Sequence, residues 1–117
     1  MCTTIDIGTL FIDKPDSLVL AFDTVMNNVM LWQPNYMGPS TKSIIFTNQK
    51  AWLIIRPMKD QLDVKFYHKE KIASELIKKY TVHPNKIAHH LRIRDELDVT
   101  PDFMRLLKRG YDYAMSD

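Results

Sequence analysis

The chain contains two segments whose apolar residues recur at helical spacing. Pro15 and Asp16 suit the first turn of a helix, because proline leaves no N–H unpaired there and a carboxylate favours the positive end of the helix dipole. The stripe that follows consists of Leu18, Ala21, Phe22, Val25, Met26 and Val29. We predict that this helix ends before Gln33-Pro34. A second helix begins with Thr100 as its cap, and its predicted buried stripe is Phe103, Leu106, Leu107, Tyr111 and Ala114.

Between the two helices the hydrophobic period shortens to that of strands. Residues 51–56 are apolar on both faces, as expected near the centre of a covered sheet, whereas 62–67 and 86–94 alternate apolar and polar side chains. Short turns join the first three strands into an antiparallel meander. The predicted strands are 43–47, 51–56, 62–67 and 86–94.

Two stretches leave alternatives open. Residues 69–82 fit a helix through Ile72, Leu76 and Tyr80, or a strand from Leu76 onwards. We predict a short helical turn over 72–75 and then a strand. Residues 32–39 are predicted to be a connecting loop, in which Trp32 and Tyr36 either cover the end of the core or form the rim of a pocket.

This order of elements predicts a single α+β domain over residues 1–117. We expect an N-terminal helix, an antiparallel sheet of four to five strands and a C-terminal helix. Both helices should lie on one face of the sheet, with the other face partly open. In element order alone, the arrangement is similar to frataxin-like and double-wing domains.

Composition narrows the class of protein. The 117 residues are 45% hydrophobic and 26% charged, which is ordinary for a globular domain. The single cysteine, Cys2, cannot form an internal disulfide or a cysteine-rich zinc site. No secretory signal is evident, and no apolar run approaches the roughly 20 residues of a membrane span. We therefore expect a cytoplasmic protein, with no metal or cofactor.

Charge is unevenly distributed, although the whole chain carries only +2. Residues 1–40 carry a net charge of −3, residues 41–94 a net +8 and residues 95–117 a net −3. This predicts a basic sheet flanked by acidic helices, which suits an anionic partner such as nucleic acid. The alternative is that the strand lysines only discourage edge-to-edge pairing.

Candidate binding residues cluster at 89–94. Adjacent strand residues point to opposite faces, so His89 and His90 cannot bind one metal ion. His90, Arg92 and Arg94 share a face and form a candidate anion site, because guanidinium groups bind phosphate or carboxylate through paired N–H groups. The alternative is a solvated face with cross-strand partners such as Asp63. His89 lies among apolar neighbours, and we predict a half-buried, hydrogen-bonded histidine rather than a catalyst.

Lys42 and Arg56 are further binding candidates. Arg56 ends an apolar strand just before Pro57, where it reaches toward a ligand or pairs with an acidic helix end. Lys42 lies beside Ser43, but side chains of adjacent strand residues diverge, which argues against a catalytic pair. No nucleophile, acid pair or metal-nuclease motif stands out, so no catalytic residue is predicted.

Most of the chain resembles a widespread bacterial domain of unknown function. The similar stretches are FIDKP (11–15), GPSTKSIIF (38–46), AWLIIRPMK (51–59), LDVKF (62–66), HHLRI (89–93) and GYDYA (110–114). The family is sometimes labelled a predicted transport protein. In longer relatives the domain is attached to predicted restriction-type nuclease domains, which implies work on nucleic acid for those relatives but not for this chain. Its typical features fall on Pro39, Lys42, His90 and Arg92. The resemblance implies a fold but transfers no activity.

Three functional hypotheses follow. The first is a non-enzymatic binding module whose basic sheet face engages nucleic acid or an acidic protein. The second is a homo-oligomeric protein-interaction domain. The third is a small-ligand or enzymatic domain with a pocket between the sheet and residues 32–39.

Overall fold

The computed structural model describes residues 7–116, so Cys2, for which a disulfide was excluded, lies outside the described residues. A 3-10 helix at Ile7–Phe11 leads into helix α1, Asp16–Val29, and a second at Glu96–Asp98 precedes helix α2, Pro101–Met115. The strands are β1 Tyr36–Pro39, β2 Ile44–Thr47, β3 Ala51–Pro57, β4 Leu62–His68, β5 Ile77–Val82 and β6 Ile87–Ile93. The α+β prediction is confirmed, with six strands instead of four to five.

The additional strand is β1, which the sequence predicted to be a loop. Tyr36 lies opposite Thr47 and Pro39 opposite Ile44, so residues 36–39 form an edge strand beside β2. Gly38 and Pro39 favoured a loop prediction, yet proline is tolerated on an edge strand, where one side of the backbone needs no ladder hydrogen bonds.

The predicted helical turn over 72–75 was also wrong. These residues form a loop that ends in a turn, where the Ile77 N–H donates to the Ser74 carbonyl at 3.2 Å, and β5 begins at Ile77 rather than Leu76. The Ile72 N–H donates to Nε2 of His89 at 3.0 Å. This tertiary hydrogen bond attaches the segment to β6.

The six strands form one antiparallel sheet in the order β1-β2-β3-β4-β6-β5. Both helices pack on the same face, which we call the covered face. Its buried side chains are Ile44, Phe46, Leu53, Ile55, Leu62, Val64, Phe66, His89, Leu91 and Ile93. The register of β2 and β3 shifts beside Thr47, so that Trp52 and Leu53 are both buried despite being adjacent.

An aromatic cluster closes one end of the core. The ring of Trp52 meets Tyr111 edge-on at 5.2 Å, and Trp32 lies 6.0 Å from Trp52. The indole N–H of Trp52 donates to the Asn35 side-chain oxygen at 3.1 Å, and the Tyr111 hydroxyl donates to the Pro34 carbonyl at 2.9 Å. These bonds tie the segment after α1 to the sheet and to α2. Trp32 thus covers the end of the core, the first of its two predicted alternatives.

Helix α2 approaches β4 most closely at Gly110. A Cβ at this position would lie 2.7–3.0 Å from side-chain atoms of Phe66, which is too close for any real contact. At Gly38, by contrast, a Cβ would meet no atom within 4 Å. The contact between α2 and β4 therefore requires glycine at position 110. Gly38, on the edge strand β1, has space for a side chain.

We predict that Gly110→Ala destabilises the domain by about 1–3 kcal/mol, because an extra methyl in a packed core forces neighbours to shift. This loss should occur although alanine has the higher helix propensity, by about 1 kcal/mol. Chemical denaturation measures the free energy of unfolding, with Gly38→Ala as the matched control. Equal stabilities for the two variants would show that α2 does not need this close approach.

Candidate anion-binding surface

The sheet face opposite the helices, which we call the open face, presents charged and polar side chains in rows across the strands. In one row, Arg56 of β3 lies opposite Asp63 of β4, which lies opposite Arg92 of β6. The next row contains Ile54, Lys65, His90 and Lys79, and the third contains Tyr67, Ala88 and Thr81. The strand pairing therefore brings together three of the candidate residues, Arg56, His90 and Arg92, on one face.

Asp63 is the central carboxylate of this face. It accepts a hydrogen bond from Nε of Arg92 at 2.7 Å and contacts Nδ1 of His90 at 3.1 Å, and its side chain is only 15% exposed. Asp63 is thus the cross-strand partner that the sequence offered as an alternative. The Arg92 contact is made by Nε, so the two terminal nitrogens of the guanidinium face other positions.

Thr81, His90 and Asp63 stand in the order hydroxyl, imidazole and carboxylate, which is the order of a nucleophilic relay. Oγ1 of Thr81 lies 3.4 Å from Nε2 of His90, longer than the usual distance between a nucleophile and its base. Asp63 is also shared with Arg92. The arrangement accounts for the fixed orientation of His90 and Arg92 and gives no specific support to catalysis.

His89 lies on the covered face and is fully buried rather than half-buried. Its Nδ1 lies 2.9 Å from the Ile87 carbonyl, and its Nε2 accepts the Ile72 N–H, so the ring is neutral with the proton on Nδ1. The ring stacks on Phe66 with centroids 4.9 Å apart. Burial lowers the pKa of His89 below its ordinary value of 6.5.

This lowered pKa predicts a loss of stability in acid. The unfolded chain binds a proton at His89 near pH 6.5, whereas the folded chain does so only at lower pH. The contribution to stability is therefore complete above pH 6.5 and is lost as the pH falls from there toward the folded pKa, with a slope of at most about 1.4 kcal/mol per pH unit. Denaturation at a series of pH values measures this slope.

His89→Gln should flatten the slope, because glutamine offers a donor and an acceptor but does not titrate. His83→Gln, which changes an exposed histidine on the β5–β6 turn, is the control and should leave the slope in place. A slope that survives His89→Gln would assign the acid sensitivity to another group.

Lys42 and Arg56 line a cavity of about 520 Å³ at the end of the sheet where the β1–β2 and β3–β4 turns lie. Lys14 and Lys59 line it as well, together with one acidic residue, Asp13. We call this cavity the basic cleft. The cleft brings together Lys42 and Arg56, which the sequence analysis treated separately. It also contains Lys14 and Lys59, which sequence reasoning missed.

The remaining candidates are distributed differently. Arg94 lies just beyond β6, and its backbone N–H donates to the Asp98 carboxylate at 2.8 Å. Tyr36 is 67% exposed on β1, on the same face as Thr47, whereas Trp32 belongs to the core cluster. The structure therefore separates Trp32 from Tyr36, which the sequence had paired as a pocket rim.

The prediction of acidic helices holds for α1 only. Helix α2 carries three basic and two acidic side chains, so it is not acidic. The acidic residues that precede it form the 3-10 helix and its cap, where the Asp95 carboxylate accepts the Leu97 N–H at 2.9 Å. Those carboxylates terminate β6 and hold the turn that leads into α2.

Sequence reasoning also missed Lys65, Lys79 and Tyr67 as members of the open face. The alternation of β4 shows that Asp63, Lys65 and Tyr67 share a face, which was the available signal. Their proximity to His90 depends on the pairing of β4 with β6, which the sequence does not reveal.

The fold and this surface define a small α+β domain with one helix-covered and one basic sheet face. A family model described as "Domain of unknown function (DUF5655)" matches residues 7–114, and the chain belongs to this family. No curated protein and no solved structure matches it. Within residues 7–116, no helix is long and apolar enough to cross a membrane, and no group of three or more His, Cys, Asp or Glu side chains could hold a metal ion.

Proposed function

We propose that this domain is a binding module that holds single-stranded nucleic acid on its open face. The observation that carries the proposal is the set of basic side chains arranged around one carboxylate, Asp63. These side chains are Arg56, Lys65, Lys79, His90 and Arg92. Neighbouring strands lie about 4.8 Å apart, so cations on adjacent strands can follow the phosphates of an extended chain.

Aromatic side chains on the same face support nucleic acid over other polyanions. Nζ of Lys86 lies 3.9 Å from the centre of the Tyr67 ring, and Nζ of Lys65 lies 5.6 Å from it. Tyr36 is exposed at the β1 edge. A base can stack on the exposed ring of Tyr36, while the lysines beside the half-buried Tyr67 contact phosphates, and such stacking contributes about 1–3 kcal/mol per base.

The role of Asp63 in this proposal is to orient His90 and Arg92 rather than to bind the ligand. Its contacts hold His90 and Arg92 against the sheet, so little side-chain entropy is lost when they meet a phosphate. The Nε contact leaves the outer edge of the Arg92 guanidinium for a phosphate oxygen. Lys65 lies in register with His90 and completes the positive surface.

The proposal predicts salt-dependent binding of oligonucleotides. Fluorescence anisotropy with labelled single-stranded RNA and DNA of about 12 nucleotides should show affinity that falls with salt, by a slope of about 0.7 per phosphate contact. Lys65→Glu should weaken binding and reduce that slope by about 0.7, the value of one phosphate contact. Lys69→Glu makes the same charge change at an exposed lysine beside α2 and is the matched control.

Two results would contradict the proposal. The first is no binding of either oligonucleotide at low salt. The second is equal loss of affinity in the Lys65→Glu and Lys69→Glu variants, which would indicate a response to net charge alone.

Asp63→Asn tests the role of the carboxylate. The substitution raises the charge of the open face by one, so we expect tighter oligonucleotide binding with a steeper salt dependence. It should also lower the free energy of unfolding by about 1 kcal/mol, because the partners of Asp63 lose a charged acceptor. Asp112→Asn on α2, which removes an exposed carboxylate paired with Lys108, is the control for net charge. Weaker oligonucleotide binding by Asp63→Asn than by Asp112→Asn would show that the orientation of His90 and Arg92 by Asp63 contributes more to affinity than the removed negative charge.

A further inference from the structure

We infer that the basic cleft is a site for a phosphate monoester, meaning a terminal phosphate group carried on an organic group such as a nucleoside. If the phosphate is the end of a nucleic-acid strand, the inference deepens the proposed function and rests on it. Arg56 connects the two sites, because it lies opposite Asp63 on the open face and also lines the cleft. For a free nucleotide, the cleft would act without the open face.

The cations of the cleft converge from separate segments of the chain. Lys14 lies just before α1, and Arg56 lies near the end of β3. Lys42 lies on the β1–β2 turn and Lys59 on the β3–β4 turn. With Asp13 as the one acidic lining residue, the cleft carries a net charge of +3. This charge suits a dianionic terminal phosphate better than the single charge of an internal phosphodiester.

Backbone hydrogen bonds fix both turns that carry the lysines. The Ser40 N–H donates to the Ser43 carbonyl at 2.7 Å across the β1–β2 turn. The Met58 N–H donates to the Gln61 carbonyl at 2.8 Å across the β3–β4 turn. The backbones of Lys42 and Lys59 are therefore held in place, and only their side chains need to adjust to a ligand.

The four cations of the cleft share one cavity, and none of them has a carboxylate partner among the described residues. In the part of the chain that the structure describes, no carboxylate lies within 4.0 Å of the charged nitrogens of Lys14, Lys42, Lys59 or Arg56. Arg92, Arg105 and Lys108 each have such a partner. Like charges around one cavity repel one another, and a bound dianion relieves this repulsion.

The size and walls of the cleft indicate more than a bare phosphate. Its volume of about 520 Å³ falls in the range of sites for small organic ligands. Leu10, Ile12 and Met58 contribute apolar side chains to its lining, and Thr41 contributes a hydroxyl. Apolar walls beside cations fit a phosphate attached to a nucleoside better than inorganic phosphate.

The test compares one single-stranded oligonucleotide in three forms, with a 5′-phosphate, with a 3′-phosphate and with hydroxyls at both ends. We expect one phosphorylated form to bind the full chain about tenfold more tightly than the hydroxyl form, as charged hydrogen bonds at one added group would give. The double variant Lys42→Gln/Lys59→Gln should remove this preference without lowering the melting temperature, because it relieves repulsion between like charges. Lys50→Gln, a turn lysine between β2 and β3 at the opposite end of the sheet, should keep it.

A second arm separates a strand end from a free nucleotide. Adenosine 5′-monophosphate should shift the backbone amide NMR signals of residues 41–42 and 58–59, whereas adenosine should not. If the nucleotide shifts these NMR signals but the chain binds no oligonucleotide, the result supports a phosphate site in the cleft and contradicts the proposed function. Binding of oligonucleotides without any terminal-phosphate preference and without these shifts would overturn the inference and leave the proposed function standing. A preference that persists in the double variant would also overturn it.

Discussion

The antiparallel pairing of β4 with β6 fixes both faces of the sheet. Because successive strand residues point to opposite sides, this register places Phe66 beside His89 on the covered face and Lys65 beside His90 on the open face. A slip of one residue would exchange the two sets, burying charges and exposing the core. The hydrophobic core and the candidate binding surface are therefore consequences of a single alignment.

The buried side of this pairing also determines how the outer strand is connected. The chain passes from β4 to β5 across the covered face of β6, and His89 accepts the Ile72 N–H while the Tyr80 hydroxyl donates to the Ile72 carbonyl at 2.6 Å. One loop residue is thus held at both of its backbone polar groups. A neutral His89 satisfies the backbone of a segment that would otherwise leave buried polar groups unpaired. The edge strand β5 is therefore attached to the rest of the sheet through hydrogen bonds on the covered face.

The helices and most strands could be predicted from the sequence, because a stripe such as Leu18, Phe22 and Val25 is a local property of the chain. Other features depend on tertiary contacts. Residues 36–39 become a strand only because β2 is available to pair with them, and the loop at 72–75 is attached to β6 by the hydrogen bond that the Ile72 N–H donates to His89. The face shared by His90 and Arg92 was predictable from alternation. The basic cleft was not, because it depends on which turns meet at the same end of the sheet.

The local charge of each group of residues is a better guide to function than the net +8 of residues 41–94. Asp63 offsets part of the charge of Arg92, and its contacts orient both Arg92 and His90. The Asp98 carboxylate is engaged by the Arg94 backbone N–H, so it contributes to the end of β6 as well as to the charge around the sheet. Lys42 and Lys59, by contrast, lie on fixed turns, and no carboxylate of residues 7–116 lies within 4.0 Å of their charged nitrogens. Under the two proposals, the oriented side chains of the open face would follow the repeated single charges of a phosphodiester chain, whereas the cations of the cleft would meet one concentrated charge.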